Sequence, residues 1–222
     1  RAWLICCAIV WASYGFSQST PGTETAEVVS GETIEARLKE LESAADLDEE
    51  TRAKIREKYQ EAAKALELAR QWGAKAASYQ SMIDSAPREL SQTRSELAAL
   101  PEKPAAVGTD GTVVELERAL SGKESALAEK RSELAELEAE AKRRAARRAE
   151  VPKLLDDARR RLAESEAELQ TPQTSEESAY AAATRRTLAA AKRQAVEQEV
   201  LAYEREPKAY EARVEVLPLR RD

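Results

Sequence analysis

Histidine is absent from the 222-residue chain. With it go the commonest general base, the usual member of a nucleophilic triad and the commonest metal ligand. Cysteine occurs only as the neighbours Cys6 and Cys7, so the rest of the chain has neither a disulfide framework nor a thiolate zinc site. One Phe, three Trp and six Tyr supply too little bulk for a thick core, and burial must come from narrow seams between helices. No apolar run after residue 20 reaches the ~20 residues needed to cross a bilayer. Excess positive charge is lacking too: the net charge of -6 argues against a dedicated nucleic-acid binder, whose phosphate contacts need clustered cations.

What is abundant is Ala, Glu, Leu, Lys and Arg, with 34% charged residues and a mean hydropathy of -0.60. That is the composition of long helices. The chain divides into three stretches. Residues 1–17 combine Arg1, an apolar run and the small residues Gly15 and Ser17 at cleavage-site spacing. They read as a secretory signal peptide cut between Ser17 and Gln18, which makes the mature chain an exported one. Residues 18–32 are a polar linker without periodicity. Residues 33–222 are a helical domain.

The expected fold is all-α: a long antiparallel coiled-coil helical hairpin with a third packing helix. A short first helix begins near Thr33, with Ile34, Leu38 and Leu41 on one face. Asp48 is the expected N-cap of the first long helix. Its seam runs through Ile55, Tyr59, Ala62, Leu66, Ala69, Gly73, Ala76, Gln80, Ile83, Pro87, Leu90, Arg94 and Leu97 in steps of four and three. After a loop, Thr112 and Glu115 form a capping box. The second long helix carries Val113, Leu116, Leu120, Leu127, Leu134, Leu137, Ala141, Val151, Leu155, Ala158, Leu162 and Leu169. Each long helix is expected to span about 80 to 90 Å. A third helix is expected from Glu176 to Glu206, opened by a Thr174–Glu177 box, with Tyr180, Leu188, Ala191, Ala195 and Leu201 as its apolar face. Pro207 should end it, leaving a displaced short helix between Lys208 and Leu217. Pro87 is expected to bend the first long helix or to start a new one.

No catalytic, cofactor-binding or metal-ligating residue is singled out, and no cofactor is expected. The basic run from Lys142 to Arg148 is flanked by Glu138, Glu140 and Glu150 at salt-bridging spacing, so it reads as a solvated helix face. Asp156 and Asp157 sit on a charged helix with no pocket-forming apolar run. Trp72 and Tyr79 fall on one stripe as packing residues.

The stretch from Leu66 to Pro101, "LELARQWGAKAASYQSMIDSAPRELSQTRSELAALP", carries elements that no heptad demands. Tyr79, Gln80, Ile83, Asp84, Ala86, Pro87, Leu90, Leu97, Leu100 and Pro101 resemble, residue by residue, the N-terminal extracytoplasmic helical domain of the large MscK-like members of the MscS family of mechanosensitive channels, the MscS porin domain. The second long helix and the tail "AYEARVEVLPLRRD" are similar more loosely, so the resemblance spans roughly residues 34 to 222. It implies a non-enzymatic, structural and regulatory ectodomain of a channel subunit that opens under membrane tension in hypoosmotic shock. It further implies self-association as a channel homo-oligomer, a membrane domain downstream of Asp222, a periplasmic location at the inner membrane of a Gram-negative-type envelope, and neither nucleic acid nor a small-molecule substrate as partner. The alternative is an exported coiled-coil adaptor or scaffold, which would predict a flanking β domain.

Overall fold

The computed structural model describes residues 28–44, 47–101, 111–175 and 177–221. The signal peptide, its cleavage point and the linker up to residue 27 lie outside the described residues. Those described form five helices: α1 (Gly31–Ser43), α2 (Glu49–Ala98), α3 (Val113–Gln170), α4 (Ala179–Ala212) and α5 (Val216–Arg221).

The helix starts follow local chemistry. Ser30 caps α1, its hydroxyl accepting from the Thr33 N–H at 3.1 Å, so α1 begins two residues before the expected Thr33. Asp48 caps α2 as expected, accepting from the Thr51 N–H at 2.9 Å. The Thr112–Glu115 capping box is complete in α3. The expected box opening the third helix is not formed. Ser178 caps α4 instead, accepting from the Ala181 N–H at 3.1 Å. Glu177 is engaged by the Arg185 guanidinium, both contacts 3.1 Å, and Arg185 also donates to the Thr171 carbonyl at 3.3 Å. One arginine thereby ties the α3–α4 turn to the first turns of α4.

All three long helices run through an internal proline. Pro87 lies inside α2, Pro152 inside α3 and Pro207 inside α4. Neither the new helix at Pro87 nor the break at Pro207 occurs. α4 continues to Ala212, and the last short helix is α5, later than the expected Lys208–Leu217. An internal proline costs roughly 3 kcal/mol, and each one here directly follows a buried residue, Ala86, Val151 or Glu206. Packing on both sides of the defect overrides it.

At 1.5 Å per residue α2 is about 75 Å long and α3 about 87 Å, the long-helix hairpin expected, with α4 as the third helix packed against both. The main seams are those that α4 makes. Contacts from α2 to α4 climb together, from Glu61–Lys192 through Ala76–Arg205 to Glu89–Arg213, so these two helices run parallel. Those from α3 descend as α4 rises, from Arg161–Glu199 to Arg147–Glu206, so α3 is antiparallel to it. On α4 the positions Thr184, Leu188, Ala191, Ala195, Ala202 and Ala209, all buried, form the small-residue seam that lets α2 approach closely. A second face, Val196, Glu199, Tyr203 and Glu206, is turned to α3.

Two apolar clusters result. One joins α1, α2 and the start of α4 through Ile34, Leu41, Ile55, Tyr59, Leu66 and Leu188. The other joins α3 and α4 through Val151, Ala158, Val196 and Tyr203, with Trp72 of α2 packed against it. Along α2 the expected seam holds to Ala76 and then shifts by one residue. Ala86 and Thr93 are buried, whereas Pro87 and Arg94 are exposed.

Candidate functional site: a charged clamp between the helices

The most organised polar chemistry lies where α3 and α4 meet. Glu206 of α4 is 2% exposed. The Arg147 Nε donates to one of its carboxylate oxygens at 2.8 Å and Nη2 to the other at 3.3 Å, a bidentate pair with charge-assisted bonds. The Tyr210 hydroxyl, one turn on, donates to the same carboxylate at 2.9 Å. Aromatic faces complete the shell: the Arg147 guanidinium lies 5.7 Å from the Tyr203 ring centroid and that of Arg144 lies 5.6 Å from the Tyr210 ring centroid, both within cation–π range. One heptad earlier, Glu199 receives two bonds from Arg161, at 3.0 and 2.9 Å.

α2 joins the clamp from the other side. Trp72 meets Tyr203 edge-on with centroids 5.1 Å apart, and Tyr79 meets Tyr210 at 6.4 Å. Both therefore serve in packing, the role expected of them. Arg205 donates to the Ala76 carbonyl at 3.1 Å. Farther along, Glu89 of α2 accepts from Arg213 at 2.6 Å and from Ser85 at 2.9 Å, so the last turn of α4 is fastened as well.

These contacts shift the titrating groups. Burial raises the Tyr210 phenol above its ordinary value, and the bond to Glu206 adds to this. Tyr203 is raised by burial and by Glu199, and Tyr79 by burial and by Glu206. The hydrogen bond to Glu206 raises Arg147 against the opposing effect of burial. At Glu89 burial pushes upward, but the bonds from Ser85 and Arg213 outweigh it and the carboxyl is lowered.

The basic run divides between two roles. Arg143 makes the exposed pair expected of a solvated face, 2.8 Å from Glu140. Arg144 and Arg147 keep the expected pairs, with Glu140 at 2.6 Å and Glu150 at 3.3 Å, and also turn inward to Tyr210 and Glu206. Asp157 pairs with Arg160 at 3.0 Å, and among the described residues no group of three or more His, Cys, Asp or Glu side chains is placed to hold a metal ion. Sequence reasoning missed the clamp because its carboxylates interrupt an apolar pattern. The signal that finds it is spacing: Val196, Glu199, Tyr203, Glu206 and Tyr210 advance by three and four, a heptad seam with two acids in it.

Chemically the arrangement binds helices to one another. It offers paired charges and closed aromatic contacts, with no nucleophile beside a base. Among the described residues no helix is long and apolar enough to cross a membrane. A family model described as mechanosensitive ion channel porin domain matches residues 37–222. No curated protein and no solved structure matches the chain.

Proposed function

Because the chain belongs to the mechanosensitive ion channel porin domain family, we propose that it is the periplasmic helical ectodomain of an MscK-like channel subunit, exported by its leader and standing outside the pore. The family is one of channel domains, and the role proposed for this domain is structural and regulatory, without catalysis. A membrane domain follows Asp222 in this reading, the subunits assemble as homo-oligomers, and the assembly opens under membrane tension to relieve osmotic stress.

The observation that carries the reading is the clamp. A domain that biases gating must pass displacement along its length rather than absorb it, and that requires helices that do not slide past one another. Bidentate pairs at Glu199 and Glu206 fix the axial register of α3 on α4. Lys192–Glu61 at 2.9 Å and Arg213–Glu89 at 2.6 Å do the same for α4 on α2. Interdigitated charges penalise a slip of one turn, because each guanidinium would then leave its carboxylate unpaired.

The test is patch-clamp recording of the full-length gene product in cells stripped of their own tension-gated channels, with and without residues 33–222. The expected result is a tension-activated conductance in both, with an altered threshold or altered assembly when the domain is deleted. Absence of any tension-activated conductance from the intact product overturns the reading.

A further inference from the structure

The first turns of α3 carry an apolar stripe that its own chain leaves open. Written in sevens, Val113, Leu120 and Leu127 hold one position and Leu116 and Lys123 the other, in phase with Leu155 and Leu162, which pack against the cluster joining α3 to α4. Val113 is 70% exposed, Leu120 59% and Leu127 52%, and every residue from Val113 to Leu127 is exposed. This tip is about 20 Å long. Leucines in heptad phase with an established helix–helix interface call for another helix. A seat for a helix lies elsewhere on the chain. α2 and α3 both pack on α4, and a furrow opens between them along the middle of α4. Its floor is Ala65, Ala195 and Val196, all buried, and its apolar wall is Trp72 with Leu68, which is 50% exposed. Lys64 stands on the α2 side, and Glu164 and Glu168 stand on the α3 side. Three helices around a small-residue floor form a four-helix bundle short of one member. The chain cannot fill this furrow with its own tip, because about 50 Å of unbroken helix separates Leu127 from Arg161.

We propose that the tip of α3 from Val113 to Leu127 docks in the α2–α3 furrow of a second copy of this chain, a head-to-tail contact between two different surfaces. Every pair so formed keeps one free tip and one free furrow. The contact therefore propagates beyond two copies and closes as a ring when the last tip meets the first furrow. Charge selects the occupant and its direction. Lys123 lies on one edge of the stripe, and Glu117 and Glu124 lie on the other. Turning Lys123 toward Glu164 and Glu168 brings Glu117 and Glu124 to Lys64. Turning the tip end for end exchanges the edges and sets like charges together, which disfavours that direction. An anionic lipid surface gains nothing from the tip, whose two cations are outnumbered by three carboxylates.

The inference narrows the homo-oligomeric reading to one pair of surfaces and rests on it. The test is sedimentation of the whole 222-residue chain, and the expected result is concentration-dependent assembly beyond the dimer. A tip variant, Leu120→Glu with Leu127→Glu, should weaken assembly roughly a hundredfold, and a furrow variant, Leu68→Glu, roughly tenfold or more. Helicity and Tm should stay unchanged in both, because these side chains are at least half exposed in the single copy. The decisive step is mixing. The tip variant keeps its furrow and the furrow variant keeps its tip, so together they should form a one-to-one dimer that grows no further. Glu124→Lys should weaken assembly roughly fivefold, and adding Lys64→Glu should restore it. Variants that stay monomeric when mixed, a tip variant that assembles as well as the unmodified chain, or an unmodified chain that is monomeric at every concentration overturns the proposal. A monomeric chain that phosphatidylglycerol vesicles capture only with both leucines intact gives the tip to lipid instead, and overturns it too. Failure of the mixed dimer in a full-length product that still conducts under tension sinks these surfaces and spares the channel reading. A mixed dimer in a product that never conducts does the reverse.

Discussion

Glu206 concentrates at one side chain the balance that holds the α3–α4 interface. Its carboxylate is desolvated and is compensated by two bonds from Arg147 and one from Tyr210. Removing one partner of such a pair costs more than the pair contributes, because the other charge is left buried alone. Arg147 keeps 32% of its side-chain surface in contact with water, so Glu206→Ala should cost about 2–3 kcal/mol, below the fully buried range of about 3–5. Urea unfolding measures it, with Glu206→Gln losing less because the amide oxygen still accepts from Tyr210. Acid acts on Glu89. Its carboxyl is held below the ordinary 4.5. A lowered folded-state value stabilises at neutral pH and is lost as pH falls through that value. Stability should therefore decline between about pH 5 and pH 3, and Glu89→Gln should flatten that decline in a series of melting curves. The tyrosines act at the other end. Their folded-state values are raised, so the stability they contribute is present below the ordinary 10.0 and fades as alkali ionises them. Tyr210→Phe should lessen the alkaline loss.

At the scale of the element, α4 owes its two interfaces to small residues and its continuity to tertiary packing. Ala195, Ala202 and Ala209 are buried facing α2, and enlarging one of them, as in Ala202→Leu, should cost about 1–3 kcal/mol through overpacking. Pro207 removes an N–H from the middle of α4, and its ring crowds the preceding turn. Pro207→Ala restores the bond and should raise stability by about 1–3 kcal/mol, read as an upward shift in Tm. A fall in Tm would mean that the ring packs usefully. Much of this element was legible beforehand. The face through Leu188, Ala191 and Ala195 is part of the buried seam, while Tyr180 is 37% exposed even though Ala182 and Thr184 beside it are buried. The end of the helix was not legible, since a proline breaks or bends a helix according to what holds its two sides.

Across the whole molecule, stability is distributed unevenly. The body where α2, α3 and α4 run together holds both apolar clusters and the clamp, whereas α3 is exposed from Val113 to Glu136 and carries surface pairs there such as Lys130–Glu133 at 2.7 Å. Hydrogen exchange at low protein concentration should be fast from Val113 to Glu136 and slow around Val151–Ser165, since a helix without tertiary contacts opens locally. A chain ending at Gln170 should lose cooperative unfolding by circular dichroism, because α4 supplies the main seams to both long helices.

Amino-acid composition and period alone determined that this protein is all-α, where α2 and α3 begin, and that its burial lies in narrow seams, because caps and heptads are local properties of a few side chains. The resemblance at Tyr79–Pro87 reached the family for the same reason, as a local pattern. Tertiary structure decided which seam meets which helix, that α4 lies parallel to α2, that three prolines are tolerated, and that Arg147 leaves a surface run to meet a buried Glu206. Those outcomes depend on what lies across the interface, and a heptad states that a partner is needed without saying which helix provides it.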